Sequence, residues 1–155
     1  MIKYIEGDLI KLATQYDVIA HCCNCFNTMG SGIAPQIAKA FPYAEAADNK
    51  TVKGQYRKLG KISIGHPTQM SSDPIVCNIY GQFGFNKRKE GGRDLSYVAL
   101  ADGLRAMVKV YTGLRFLLPQ LGAGLAGGKW EFIEQLIEEI FEGEDVTVVI
   151  YKAEK

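Results

Sequence analysis

The sequence predicts an α/β protein, a three-layer α/β/α sandwich around a mixed, largely parallel sheet. Three observations carry this. Short apolar runs alternate with longer amphipathic ones along the chain, and two glycine-rich stretches each follow an apolar run and precede a helical pattern. The last apolar run, Val146 to Tyr151, is almost entirely β-branched, as in a strand covered on both faces. With 155 residues, 47% of them hydrophobic, the chain is expected to be one domain, residues 1–155, with a single sizeable core.

Each element has its own signal. Ile2 to Glu6 and Val18 to His21 read as short strands. Gly32 to Phe41 reads as a helix with Ile33, Ile37 and Ala40 on one face, stopped by Pro42; Ala44 to Lys53 continues as a second helical piece. Lys61 to Gly65 and Ile75 to Tyr80 are strand-like, separated by a polar turn segment with Pro67, Ser71, Ser72, Asp73 and Pro74. Leu95 to Tyr111 is a long helix whose buried stripe is Val98, Leu104, Met107, Val108 and Tyr111. Arg115 to Leu118 is a strand running into the second glycine stretch. Trp130 to Phe141 is an amphipathic helix, with Trp130 as core or pocket wall, and Val146 to Tyr151 closes the chain as a central strand.

Composition removes several classes of function. Eighteen Lys and Arg nearly balance seventeen Asp and Glu, so no broad field draws the chain to nucleic acid or membrane. No run approaches the ~18 apolar residues of a membrane span, and the first residues lack a signal-peptide core. A cytoplasmic, monomeric protein without membrane association is expected. Cys22, Cys23 and Cys25 crowd into four positions, unlike a secreted disulfide framework. Cys22 and Cys25 have zinc-knuckle spacing, but only His21 and Cys77 remain as partners, so buried thiols at a strand end are the simpler account and no metal or cofactor is expected.

The two glycine stretches are Met29-Gly30-Ser31-Gly32-Ile33-Ala34 and Gly122-Ala123-Gly124-Leu125-Ala126-Gly127-Gly128. Glycine lets backbone come close to phosphate oxygens, and a following helix start adds N–H donors and a positive dipole end. In a parallel sheet both loops lie at the carboxyl ends of strands, where ligands bind, so together they suit one diphosphate. Neither carries the third glycine of a dinucleotide fingerprint or the Gly-Lys-Ser/Thr of a P-loop. A third stretch, Gly81 to Arg93, combines aromatics, bases and glycines, and is either a flap that touches phosphate or a solvated basic loop.

In order and spacing these residues resemble a macro domain, the ADP-ribose-binding α/β/α module, over essentially the whole chain. The resemblance rests on Gly7-Asp8-Leu9 after the first strand, on Val18-Ile19-Ala20-His21-Cys22-Cys23-Asn24 leading into Gly30-Ser31-Gly32-Ile33-Ala34, on Leu118 to Gly128, and on the closing Val149-Ile150-Tyr151. The His-Cys type sequence at residues 21 and 22 is similar to the branch of ADP-ribose 1''-phosphate phosphatases and terminal ADP-ribose hydrolases.

The resemblance implies a role for each position. Asp8 and Leu9 would meet adenine, with Asp8 accepting from the exocyclic amine; an N-cap for a short helical turn is the other reading of Asp8. Tyr151 would stack on adenine, or simply pack at a strand end. Gly30, Ser31, Gly32 and Ile33 would wrap the diphosphate, and Gly122, Ala123, Gly124, Leu125 and Ala126 would close over it near the distal ribose, where Asn24 meets the hydroxyls. His21 would be a general acid or base, against the plainer reading of a structural histidine. Lys129 at a helix start and Lys87 in the basic loop are candidates for phosphate contact, each also readable as a solvated lysine.

One departure bears on chemistry. The hydrolases of this branch use a lysine after the middle strand and an aspartate in the second loop, and residues 122–130 contain no carboxylate. The activity the resemblance implies is therefore removal of the terminal phosphate of ADP-ribose 1''-phosphate without a metal. Two alternatives stay open: a binding module for ADP-ribose without turnover, and a hydrolase of ADP-ribosyl groups on protein or nucleic acid. The expected partners are a small ADP-ribose derivative and ADP-ribosylated macromolecules.

Overall fold

A computed structural model describes residues 1–153. Its elements run in chain order as β1 (Lys3–Gly7), α1 (Leu9–Leu12), β2 (Val18–Cys22), α2 (Ala34–Ala40), α3 (Pro42–Asn49), β3 (Ile62–Gly65), β4 (Ile75–Ile79), α4 (Tyr97–Tyr111), β5 (Arg115–Leu118), α5 (Trp130–Ile140) and β6 (Asp145–Tyr151). The strands join one six-stranded sheet in the order β1-β6-β5-β2-β4-β3. All neighbours are parallel except β3, which pairs antiparallel with β4 at one edge. This is the three-layer mixed sandwich that the alternation predicts, with the last strand inside the sheet.

The period of two sorts each strand between two cores. Val18 and Ala20, Phe116 and Leu118, and Val146 and Val148 face a layer containing Leu100, Leu104 and Met107 of α4 and Ile133 and Ile137 of α5. Ile19, Leu117 and Val149 face the opposite layer, with Leu9, Ala13, Ile37, Phe41 and Ala44. Burial on both faces explains why these strands are apolar throughout and not alternating. Among the described residues no helix is long and apolar enough to cross a membrane.

Several expectations are corrected in detail. Pro42 begins α3 as its first residue, because a proline lacking N–H fits a helix start; the preceding helix ends at Ala40 for want of room to continue through it. Ala40 itself is exposed. The long helix begins at Tyr97, two residues later than its apolar pattern suggests, since Ser96 caps it by accepting from the Ala99 N–H at 3.1 Å. Leu95 instead bridges Gln82. Val98 is 73% exposed, and the stripe facing the sheet passes through Leu100, Leu104 and Met107.

Candidate active site

The parallel strands β2, β5 and β6 all end at one side of the molecule, and a cavity of about 850 Å³ opens there. Both glycine loops line it: Ser31, Gly32 and Ile33 on one side, Gly122, Gly124, Leu125 and Ala126 on the other. The backbone geometry is why glycine is needed. Gly32 sits at φ +65° and Gly122 at φ +77°, in the left-handed region, and the two loops meet where a Cβ on Gly32 would lie 3.9 Å from Leu125 Cδ1. Gly128 closes the second loop, donating its N–H to the Gly122 carbonyl at 2.8 Å. The helix start after the first loop is weaker in donors than the sequence suggests, because Pro35 occupies the first turn of α2.

His21, at the inner end of the cavity, is 1% exposed. Its Nε2 lies 2.6 Å from Asn78 Oδ1. The Asn78 amide is oriented by two donations from its Nδ2, to the Ala44 carbonyl at 2.9 Å and to Ser63 Oγ at 3.1 Å. Since a carbonyl only accepts, Oδ1 must face the histidine, and the histidine must carry its proton on Nε2. The chain continues: Ser63 Oγ donates to Tyr80 Oη at 2.8 Å, and Tyr80 donates to Asp48 Oδ1 at 2.6 Å. Every hydrogen bond in the row thus has one direction, ending on a buried carboxylate. Burial holds the His21 imidazole below its ordinary value, against the Asn78 hydrogen bond and the Asp48 charge, which both pull it up. A neutral His21 therefore keeps its lone pair on Nδ1, with Cys23 Sγ 3.7 Å from Nδ1 and 3.4 Å from Nε2.

Cys22 and Cys23 line the cavity too, but burial pushes the Cys22 thiol up to about 12 and the Cys23 thiol well above its ordinary value. Protonated thiols are poor nucleophiles and poor metal ligands, so these act as small apolar wall. Asn24 is shaped by its own loop: Oδ1 accepts from the Phe26 N–H at 2.8 Å and Nδ2 donates to the Thr28 carbonyl at 3.0 Å, leaving half of the amide's capacity for a ligand. At the far end Leu9, Val149 and Tyr151 line the cavity, Tyr151 with 66% exposure.

Five sequence-predicted residues are not in the lining. Asp8 caps α1, its Oδ1 accepting from the Ile10 N–H at 2.9 Å. Gly30 and Ala123 are outside the lining, although their neighbours Ser31, Gly122 and Gly124 are in it. Lys129 donates its backbone N–H to Tyr97 Oη at 2.8 Å, and its Nζ lies 5.6 Å from the Phe132 ring centroid. Lys87 donates its N–H to Asp94 Oδ1 at 3.1 Å. Among the described residues no lysine or arginine lines the cavity at all. Trp130 packs against the core instead of the cavity.

The residue that sequence reasoning missed is Asp94. It is 7% exposed and is the one carboxylate in the described lining. Its N–H and that of Leu95 both donate to the Ala126 carbonyl, at 3.1 and 3.0 Å, so the aspartate is pinned directly against the second glycine loop. Residues 122–130 contain no carboxylate, and the one in the described lining belongs to a residue outside that stretch. The only signal in the sequence is an acid placed between the basic loop and the apolar start of α4. Gln82 and Phe85 also reach the cavity, so the Gly81 to Arg93 loop faces the site with its amide and aromatic side chains.

No family model matches the chain. It is 32% identical over 158 residues to an uncharacterized 17.5 kDa protein of Enterobacteria phage T4, covering 96% of each chain. It is 28% identical to an ADP-ribose 1''-phosphate phosphatase of Saccharomyces cerevisiae, covering 97% of this chain and 98% of that one. It is 30% identical to a DNA ADP-ribosyl glycohydrolase of Mycobacterium tuberculosis, covering 97% of this chain and 42% of that protein. Among solved structures it is similar to a macrodomain protein from Streptomyces coelicolor, with 25% identity, 98% and 100% coverage and a TM-score of 0.71. The fold is shared with the macrodomain of Mycobacterium tuberculosis DarG at a TM-score of 0.76, with 24% identity and 99% coverage of both. With two glycine loops facing across one cavity at the strand ends, a His-Cys sequence at its base and these relatives over its whole length, the chain belongs to the macro-domain family.

Proposed function

We propose that the cavity binds ADP-ribose and that the protein removes the terminal phosphate of ADP-ribose 1''-phosphate. The observation that carries this is the lining: two backbone loops for a diphosphate, an apolar end with an aromatic for adenine, and His21, Asn24 and Asp94 together at the wall beneath and between the loops. In the proposed reaction water attacks phosphorus and the bond from phosphorus to the C1'' oxygen breaks. The neutral His21 takes the water proton on Nδ1 and returns it to the leaving C1'' oxygen, which departs as the free hydroxyl of ADP-ribose, while Asn24 orients the distal ribose. Backbone N–H groups of the loops carry the charge of the transition state, where fixed donors in a dry site are most effective. Asp8 contributes to adenine through the capacity left beside its cap, Tyr151 by stacking. Lys87 and Lys129 are not needed for the diphosphate.

The placement of Asp94 favours a second reading. A carboxylate in the cavity lining, on a residue whose backbone is bonded to the second glycine loop, is what a hydrolase of ADP-ribosyl linkages requires, and a relative is named for that activity. One experiment separates them. The protein is incubated in EDTA with ADP-ribose 1''-phosphate while a calorimetric titration follows ADP-ribose. Phosphate release that is lost in His21→Ala supports the phosphatase. Tight binding without release transfers the weight to the hydrolase, which an ADP-ribosylated protein or oligonucleotide then tests, and absence of both binding and release overturns the ADP-ribose reading.

A further inference from the structure

Beside the cavity mouth four aromatic rings form a row, of which Phe85 alone is in the cavity lining. Tyr56 lies 5.0 Å from Phe83, Phe83 lies 5.0 Å from Phe26, and Phe26 lies 6.3 Å from Phe85, centroid to centroid. The row begins on the open surface, with Tyr56 69% exposed, and ends at Phe85, which is 50% exposed and lines the cavity. Three separate segments hold it in place. The Cys25 N–H donates to the Phe83 carbonyl at 2.9 Å, and the Gly54 N–H and Lys58 Nζ both donate to the Cys25 carbonyl, at 2.7 and 3.1 Å. Exposed rings are costly to keep in water, and a rigid row of them marks a binding surface.

The charge around the row is one-sided. Residues 49–72 contain no Asp or Glu, while Lys50, Lys53, Arg57 and Lys61 from this stretch are exposed. Among the described residues none of these four enters an ion pair. Nearby acids are few: Asp48 is buried and accepts from Tyr80, while Glu45 on α3 and Asp102, packed against Gly60, border the stretch. Glu131, Glu134, Glu138, Glu139, Glu142, Glu144 and Asp145 gather on and after α5, in the layer on the other side of the sheet. A net charge of +1 therefore hides a basic face.

We infer that this face binds a single strand of nucleic acid, with bases stacked on Tyr56 and Phe85 and phosphates along Lys50, Lys53, Arg57 and Lys61, so that the strand leads into the cavity mouth. Unpaired bases offer flat apolar faces and a regular anion, the two features that the row and its cations complement. An acidic peptide would use the cations but leave the rings open, and a duplex hides its base faces. That the strand carries the group entering the cavity rests on the ADP-ribose reading above; strand binding itself does not.

The test uses labelled, unmodified single strands of about twelve nucleotides, DNA and RNA, with a duplex, polyphosphate and a glutamate-rich peptide as comparisons, titrated at rising salt. The single strands are expected to bind most tightly, with affinity falling steeply as salt rises; a preference for either sugar supports the surface and identifies the strand. Tyr56→Ala should weaken strand binding about tenfold, and Arg57→Ala should reduce the salt slope by roughly 0.7, the contribution of one phosphate contact. ADP-ribose titrations of both variants should be unchanged, since neither residue lines the cavity. Polyphosphate, duplex or peptide binding as tight as the single strand, no strand binding at low salt, or an unaffected Tyr56→Ala would overturn the proposal. Strand binding that persists when ADP-ribose fails to bind supports it and removes only the reading of the cavity.

Discussion

His21 shows how much one side chain's environment decides. An imidazole at the end of an apolar strand is legible as a candidate acid or base, but not which nitrogen is available; that follows from Asn78, whose amide is fixed by the Ala44 carbonyl. Replacing His21 by alanine should lower turnover on the order of 10²-fold while leaving ADP-ribose affinity within about twofold, measured by kinetics and calorimetry. Equal loss of both would make it a positioning residue. The sign of its effect on stability also follows. The unfolded chain titrates near 6.5 and the buried ring lower, so below about pH 6.5 the unfolded state holds the extra proton and stability falls, by at most about 1.4 kcal/mol per pH unit. Melting temperature should drop between pH 7.5 and 5 more in the wild type than in His21→Gln. Asp8 has two sequence readings; the fold shows the cap, made through Oδ1, and the adenine role is the proposal made above. Asp8→Asn keeps a good N-cap but replaces an acceptor-only carboxylate, so it should preserve melting temperature and weaken adenine-containing ligands; unchanged affinity would remove the adenine role. Asp94 was illegible because its importance comes from a contact with Ala126, thirty-two positions away in sequence.

At the scale of elements, the strands and the two glycine loops were readable because their signals are local: apolar runs, a period, and a residue type with backbone freedom. The helix boundaries were less so. Pro42 stops one helix and starts the next, and Ser96 moves a helix start past two residues that fit the pattern, because capping competes with periodicity. The second loop is closed at its base, where Gly128 has no room for growth. A Cβ on Gly128 would meet Leu95 Cδ2 in direct overlap and lie 2.6 Å from the Gly122 carbonyl oxygen. Gly128→Ala should therefore cost about 1–3 kcal/mol in unfolding free energy and weaken ADP-ribose together with stability. Gly124→Ala, where an added Cβ meets nothing within 4 Å, is the comparison that should keep the melting temperature.

For the whole molecule, alternation alone was enough to predict a sheet covered on both faces, because only strands buried twice need be apolar at every position. Layer assignment of charge was not predictable from a net value near zero. The molecule separates its two kinds of anion recognition: a cavity whose described lining holds no lysine or arginine, and a basic face beside it. Affinity for ADP-ribose should accordingly change little, less than about threefold, between low and physiological salt, whereas a site built on lysine and arginine would lose far more. Isothermal titrations at several salt concentrations measure this directly, and a steep dependence would mean that cations outside the described lining reach the ligand.

The backbone lining of the cavity has a consequence for how such a protein can change over time. Amide N–H groups come with every residue except proline, so nearly all side chains around the loops can be exchanged without removing a donor, provided the few positions that need glycine keep it. The grip on the ligand is then written in the path of the chain, and the side chains at its rim are free to drift toward new linkages. A phage protein and a yeast phosphatase that share only 32% and 28% of their residues with this chain, yet align over nearly all of it, are what such freedom would leave behind.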